Sequence, residues 1–393
     1  MNTPSENRLI QLARVFFKLG IIGFGGPAAH IAMMEDEVVT RRAWLGRSQF
    51  LDLVGATNLI PGPNSTEMAI HIGYVYGRLP GLIIAGICFI LPAVLITGVF
   101  AWLYKSYGNV PEFYPLLYGI KPVVIAIIFN ALWKLGKKAV KTRRLLFIGI
   151  GVVLLCLLGI NEIVALLIGG IVGMLWIVML PPKATTSMII GGLGFNLALV
   201  SSTSATTSLV TPNLWQLGLF FLKIGSVLFG SGYVLFAFLE GQLVGEYQWL
   251  TQQQLIDAIA VGQFTPGPVL STSTFIGYQI LGIPGAIVAT LGIFFPSFIF
   301  VLILNPLIPK LRQSKWTGAF LDAVNVSAVA LMVVVTFNLT GAVILKTSGR
   351  LPIDIVAILI AAIAAILLLR YKINSAWLVL GGAVIGWIIK LNL

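Results

Sequence analysis

FLDLVGATNLIPGPNSTEMAIHIGYVYG (Phe50–Gly77) and LIDAIAVGQFTPGPVLSTSTFIGYQI (Leu255–Ile280) set the architecture of this chain. Neither stretch is compatible with one straight helix. Proline removes a backbone donor and clashes with the preceding turn, so Pro61-Gly62-Pro63 and Pro266-Gly267-Pro268 open the backbone. The expected structure is a pair of half-helices about an unwound joint, with the second half-helix starting at Pro63 or Pro268. Long apolar runs surround both stretches: Gly81–Leu103, Leu145–Ile160, Ile163–Leu180, Pro284–Leu304 and Leu351–Leu369. These approach the ~20 residues of a membrane span. Irregular backbone at membrane depth survives only where protein buries it or where it lines a wet cavity.

Composition agrees. Of the 393 residues, 58% are hydrophobic and 10% charged, against about a quarter charged in soluble domains. The N-terminus lacks the basic, apolar and small-residue order of a cleaved signal peptide, so an uncleaved, multi-pass inner-membrane protein is expected. Cys88 and Cys156 sit in apolar runs, giving neither a disulfide framework nor a metal clip. The net charge of +12 lies in short loops between apolar runs. That pattern reports topology and not nucleic-acid binding. No GxxxxGK[ST] phosphate loop is present, and no cofactor is expected.

The two broken segments belong to an internal repeat. FFKLGIIGFGG (Phe16–Gly26) recurs as FFLKIGSVLFGSG (Phe220–Gly232). An offset of 205 pairs Lys18 with Lys223, Gly25 with Gly230, Glu35 with Glu240, Asp52 with Asp257 and the two Pro-Gly-Pro motifs. After one lost residue, 204 pairs Gly73-Tyr74 with Gly277-Tyr278 and Pro92 with Pro296. The units expected are residues 1–205, with the linker Ser201–Thr211 closing the first, and 206–393. Loop charges alternate between copies. Glu35–Arg47 holds Arg41, Arg42 and Arg47, whereas Gly241–Gln253 holds no Lys or Arg; the next loop pair reverses, and the third swings back. Equivalent loops therefore fall on opposite sides. The fold expected is an all-α polytopic membrane protein of two inverted-topology repeats with discontinuous helices and about 10–12 spans. The count stays open because either Gln11–Ala29 or Met188–Val200 supplies one crossing.

Chemistry concentrates at the joints. Asn64, Ser65 and Thr66 follow one Pro-Gly-Pro, and Ser271, Thr272, Ser273 and Thr274 the other. A helix start presents free N–H groups and the positive end of its dipole, and hydroxyls add donors, so each start suits an anion. Opposed starts from inverted copies would meet near the midplane. Lys18 and Lys223 either neutralise a bound anion, snorkel to the membrane interface, or pair with an acid such as Asp52 or Asp257. Glu67 and His71, four apart on one helix face, have no ionisable counterpart in the second copy; they suit proton coupling or gating better than a metal.

Three stretches carry a family resemblance: Phe24–Val39 (FGGPAAHIAMMEDEVV), Trp44-Leu45 with Phe50–Tyr74, and Phe264–Tyr278 (FTPGPVLSTSTFIGY). They resemble the chromate ion transporter family in its long, two-copy form. The resemblance implies a gradient-driven exporter of chromate, with sulfate as the natural analogue, that confers chromate resistance. It directs attention to Gly25, Gly26, Glu35, Asp36, Glu37, Arg41, Asn58, Pro61, Gly62, Pro63, Asn64, Ser65, Thr66 and Glu67. The second copy departs from it at Gly230-Ser231-Gly232 and Val269-Leu270, so the copies need not contribute equally. The substrate-binding set expected is thus Lys18, Gly25, Gly26, Asn58, the two Pro-Gly-Pro motifs, Asn64, Ser65, Thr66, Lys223, Gly230, Ser271 and Thr272; Glu35, Asp52, Glu67, His71 and Asp257 are the coupling or gating set. The partners are an inorganic oxyanion and lipid, with a homodimer left open. The alternatives are a transporter of another inorganic anion such as sulfate, or of a metal cation, and, from a different class, a membrane-embedded enzyme. Two cysteines in apolar runs do not support reduction chemistry, and Ser65 with His71 is the only nominal nucleophile–base pair.

Overall fold

A computed structural model describes residues 5–107, 114–180, 211–305, 314–345 and 353–391. Among these there is no β-strand, only an isolated bridge between Leu345 and Ile353. The protein is an all-α polytopic membrane protein. Among the described residues, five helices are long and apolar enough to cross a bilayer, and three shorter apolar helices accompany them.

The first half runs α1 (Ser5–Ile22), α2 (Pro27–Glu35), a π-helical turn (Asp36–Arg41), α3 (Arg47–Thr57), α4 (Asn64–Tyr107), α5 (Tyr114–Ala139), α6 (Arg143–Leu157) and α7 (Glu162–Met179). The second repeats that order: α8 (Leu214–Val227), a 3₁₀ turn (Gly232–Val234) with α9 (Leu235–Phe238), a π-helical turn (Leu239–Glu246) and α10 (Gln252–Phe264). Then come a 3₁₀ turn (Val269–Ser271), α11 (Thr272–Leu304), α12 (Lys315–Ile344), α13 (Ile355–Arg370) and α14 (Ser375–Leu391). Gln11–Ala29 is not one span, because the chain unwinds between Ile22 and Pro27 at Gly25 and Gly26, both at positive φ. Met188–Val200 and nearly all of the expected linker lie outside the described residues.

The sequence offset reappears in the backbone. Gly62 and Gly267 both have positive φ, as do Ala43 and Gln248. α4 breaks at Gly77 and Arg78, and α11 at Leu281 and Gly282, 204 residues on and with matching torsions. Each break folds a short arm back on a long one. A Cβ placed on Gly73 would lie 2.3 Å from the Gly81 carbonyl, and one on Gly277 would lie 2.3 Å from the Gly285 carbonyl. From Asn64 to the break is roughly 20 Å of helix at 1.5 Å per residue, too short to cross ~30 Å of hydrocarbon. The long arms face lipid through Ile83, Ile87 and Leu91 in α4 and their equivalents Ile287, Leu291 and Phe295 in α11, all exposed.

Packing then interlocks the halves. α1 lies on α4 and α8 on α11 within each copy, while α4 meets α11 between them. Beyond that the copies exchange helices. α5 packs on α13 and α14 of the second half, and α12 packs on α6 and α7 of the first.

Candidate functional site

α3 ends at Thr57 and α4 begins at Asn64, so residues 58–63 are unwound; in the second copy α10 ends at Phe264 and the 3₁₀ turn begins at Val269. Each joint is tied to the other half. The Gly62 N–H donates to the Leu228 carbonyl at 2.6 Å, and the Gly267 N–H donates to the Gly23 carbonyl at 2.7 Å. Gly23 and Leu228 are themselves equivalent, each the first residue past its helix, α1 or α8. Unwinding there frees the carbonyls that the two glycines bind. His30 Nε2 also donates to the Gly23 carbonyl, at 2.9 Å.

Around the first joint lies a cavity of about 790 Å³. Gly25 and Pro27 border it from the first copy and Gly230, Ser231 and Tyr233 from the second, with Asn58 and Asn64 from the two sides of the unwound segment. Asn64 Nδ2 donates to Asn58 Oδ1 at 3.1 Å, which fixes the amides against each other. Gly26 abuts the Tyr233 hydroxyl, which donates to Gln263 Oε1 at 3.4 Å. The charged lining is basic, with Lys134, Lys137 and Lys138 at the end of α5 and Lys372 beyond α13, and Thr57, Asn130, Asn374 and Ser375 complete the polar wall. No Asp or Glu borders this cavity among the described residues. Lysines around a low-dielectric opening raise the local concentration of anions.

The sequence model of the chromate transporter family matches residues 10–174 and 215–387. The chain belongs to the chromate transporter family. A chromate transport protein of Cupriavidus metallidurans is 33% identical over 388 residues, which are 98% of this chain and 94% of that one. A probable chromate transport protein of Synechococcus elongatus is 33% identical over 359 residues, 91% and 89% of the two chains. A chromate transport protein of Pseudomonas aeruginosa is 30% identical over 393 residues, 97% and 92% of the two. No solved structure matches the chain. The two segments matched by this family of transporters follow the two copies of the sequence repeat.

The site residues expected from sequence divide into three groups. Gly25, Asn58, Asn64 and Gly230 border the cavity, whereas Ser65 and Thr66 are buried just inside α4. The second joint does not share that cavity. Ser271 and Thr272 are buried; Ser271 Oγ accepts from Thr97 Oγ1 at 3.2 Å, and Thr272 Oγ1 donates to the Val269 carbonyl at 2.8 Å. The two helix starts therefore do not converge on one open space: both joints are anchored on the other copy, but at the second the hydroxyls of Ser271 and Thr272 are buried and already partnered. The lysines in the helices are also placed apart from it. Lys18 is half exposed and pairs with Glu37 at 3.5 Å, while Lys223 donates to Gln242 Oε1 at 3.3 Å; Glu37 and Gln242 are again equivalent. Glu35 pairs with Arg47 at 3.5 Å.

Asp52 and Asp257, equivalent in sequence, differ most in surroundings. Asp52 is exposed, whereas Asp257 is buried, 3.4 Å from Lys121 Nζ and accepting from the Tyr104 hydroxyl at 2.8 Å. Tyr104 and Lys121 come from the first copy, so this cluster ties the halves together. It lies about 20 Å along α5 from Lys134, at 1.5 Å per residue. The cavity lysines were legible only as loop charges reporting topology. Nothing in the sequence said that α5 would carry them past the joint of its own copy.

Proposed function

We propose that this protein exports chromate from the cytoplasm across the inner membrane as a secondary transporter, conferring chromate resistance. Its two units, residues 1–205 and 206–393, are inverted repeats in this reading. The carrying observation is the cavity with glycine loops of both copies, the Asn58–Asn64 amides at its joint, lysines around it and no carboxylate. A bare oxyanion has no apolar part, so N–H groups, amides and cations are the groups that bind it. The positive-inside rule assigns the lysine end of α5 to the cytoplasm, so the cavity opens where an exported anion enters. The buried Lys121–Asp257–Tyr104 cluster then closes the opposite face, and Asp52, its exposed counterpart, marks the open one. Exchange of these two environments between the copies gives alternating access. The energetics suit export: a dianion leaving an inside-negative cell gains roughly 4.6 kcal/mol per 100 mV.

Uptake of radiolabelled chromate into inside-out vesicles with a lumen-positive potential tests this. The wild type should accumulate chromate, with sulfate, another tetrahedral dianion, competing. Joint replacement of Asn58 and Asn64 by Ala should lower the initial rate by about tenfold or more, as loss of two polar contacts at ~1 kcal/mol each implies, at unchanged protein level. Wild-type rates in the double variant would remove the site, and no accumulation by the wild type would remove the substrate.

A further inference from the structure

One group of buried polar atoms is left over by an anion site at the tip of α4. Glu67 stands in the first turn, behind Asn64, Ser65 and Thr66. It is fully buried, and neither carboxylate oxygen has a hydrogen-bond partner. The side chain folds back against the joint. A Cβ placed on Gly62 would lie 2.3 Å from Glu67 Oε1 and 2.7 Å from Ser297 Oγ, so carboxyl and hydroxyl crowd the same side of the glycine. Ser297, from α11 of the second copy, is fully buried, and its hydroxyl has no partner. One turn deeper, His71 is buried with both ring nitrogens unpartnered.

Charged groups on the elements packed against α4 are engaged elsewhere or, as for Arg14 of α1, exposed. Lys18 of α1 meets Glu37; His30 of α2 binds the Gly23 carbonyl, and Glu35 of α2 pairs with Arg47 of α3. Asp52 of α3 is exposed, and Asp257 of α10 is held by Lys121 and Tyr104. Arg8 of α1 lies over the Tyr76 ring, and the Tyr278 ring of α11 lies under Lys105. The second copy has no such problem at the equivalent place, where Ser271 and Thr272 both have partners. An unpaired carboxylate enclosed this way is strongly unfavourable, whereas the neutral acid needs only one acceptor and can donate to Ser297.

We propose that Glu67 is the proton-binding residue of the transport cycle, holding its proton in the arrangement described here and releasing it when the joint rearranges. The inference rests on the transporter reading above. Its consequence is a linkage. An ionised Glu67 would place a negative charge on the helix start that receives the oxyanion, and would compete for the N–H groups of that turn. The neutral acid leaves them to the substrate. Proton and oxyanion therefore favour each other's binding, and the coupling is reciprocal. One proton travels with each dianion, so each turnover moves one net negative charge outward, and the membrane potential still drives export. At release the carboxyl O–H bond breaks, the proton passes to water on the far side, and the carboxylate is re-protonated before the next anion binds.

Two measurements on the full-length protein test this. Infrared difference spectra of purified protein in lipid, without substrate, should contain the carbonyl band of a protonated carboxylic acid at neutral pH, and Glu67→Gln should remove it. If the Gln variant does not accumulate, Ser297→Ala should shift the same band, because the hydroxyl beside the acid is lost. In vesicles, wild-type chromate uptake should rise as the cytoplasmic face is acidified, by at most about tenfold per pH unit for one linked proton. Glu67→Gln should be insensitive to pH and should move two charges per chromate instead of one. A band untouched by both variants, or a Gln variant with wild-type pH dependence and charge ratio, overturns the proposal. A band lost in the variant together with no chromate uptake by the wild type keeps the proton site and rejects the substrate.

Discussion

Gly62 is where the requirements of the joint meet in one residue. Its φ of 141° is reached freely only by glycine, its N–H holds the Leu228 carbonyl of the other copy, and Glu67 and Ser297 fill the space where a Cβ would stand. Gly62→Ala should therefore combine backbone strain of about 1–3 kcal/mol with overpacking of about 1–3 kcal/mol. Gly46→Ala is the control, because Gly46 has φ −69° and nothing within 4 Å of an added Cβ. In detergent, Gly62→Ala should melt well below the wild type and Gly46→Ala close to it; equal melting temperatures would mean that the joint is loosely packed. At this scale the sequence was informative about motifs and poor about partners. Pro-Gly-Pro, Gly25 and Gly230 announced themselves by spacing and repetition, Asn64 by its place after Pro-Gly-Pro, and Asn58 through the family resemblance. Lys18 and Lys223 were repeated as well, yet each is taken by a polar group 19 residues on, Glu37 or Gln242. Repetition marks a residue the duplicated fold needs, and that need is not always a ligand.

The broken helices α4 and α11 raise a different question, since no proline sits at either break. Pro80 and Pro92 lie within α4, and Pro284 and Pro296 within α11, inside the long arms. The turn itself is made by Gly77 and Arg78 in one copy and by Leu281 and Gly282 in the other. Torsions of φ 55°, ψ −145° at Arg78 and φ 66°, ψ −151° at Gly282 fall in a region that essentially only glycine occupies without strain. The first copy thus carries strain that the second avoids. Arg78→Gly should stabilise the protein by about 1 kcal/mol or more, and Gly282→Ala, which meets open space, should destabilise it by a similar amount. Melting temperatures of the two variants moving in opposite directions would bear this out; an Arg78→Gly variant that melts lower would mean that the guanidinium is worth more than the strain. The half-helices and the joint are legible in the sequence because proline chemistry is local. The fold-back is not, since Gly73 and Gly81 permit it only by meeting each other across space.

Across the molecule, the exchange of α5 and α12 decides how the halves depend on each other. Each unit of the sequence repeat looks complete by itself, with its own joint, long arm and following helices. In three dimensions α5 finds its main packing on α13 and α14, and α12 on α6 and α7, while both Pro-Gly-Pro glycines bond to the opposite copy. A half alone would leave the inward face of its central helix, including Val123, Ala126 and Ile127 of α5, without the Ile360, Ala364 and Val379 side chains of the second copy that bury it. It would also leave the Gly62 N–H without its carbonyl, which at membrane depth costs several kcal/mol. Chain continuity between residues 181 and 210 should matter far less than the presence of both halves. The chain cut within that stretch and produced as two co-expressed pieces should assemble in the membrane, co-purify through a tag on either piece, and transport at a rate within a few-fold of the intact chain. Either piece produced alone should be degraded, since its exposed packing faces have no alternative partner. Stable accumulation of one folded half by itself would show that the exchanged helices add little, and that each copy carries its own stability as its sequence suggests.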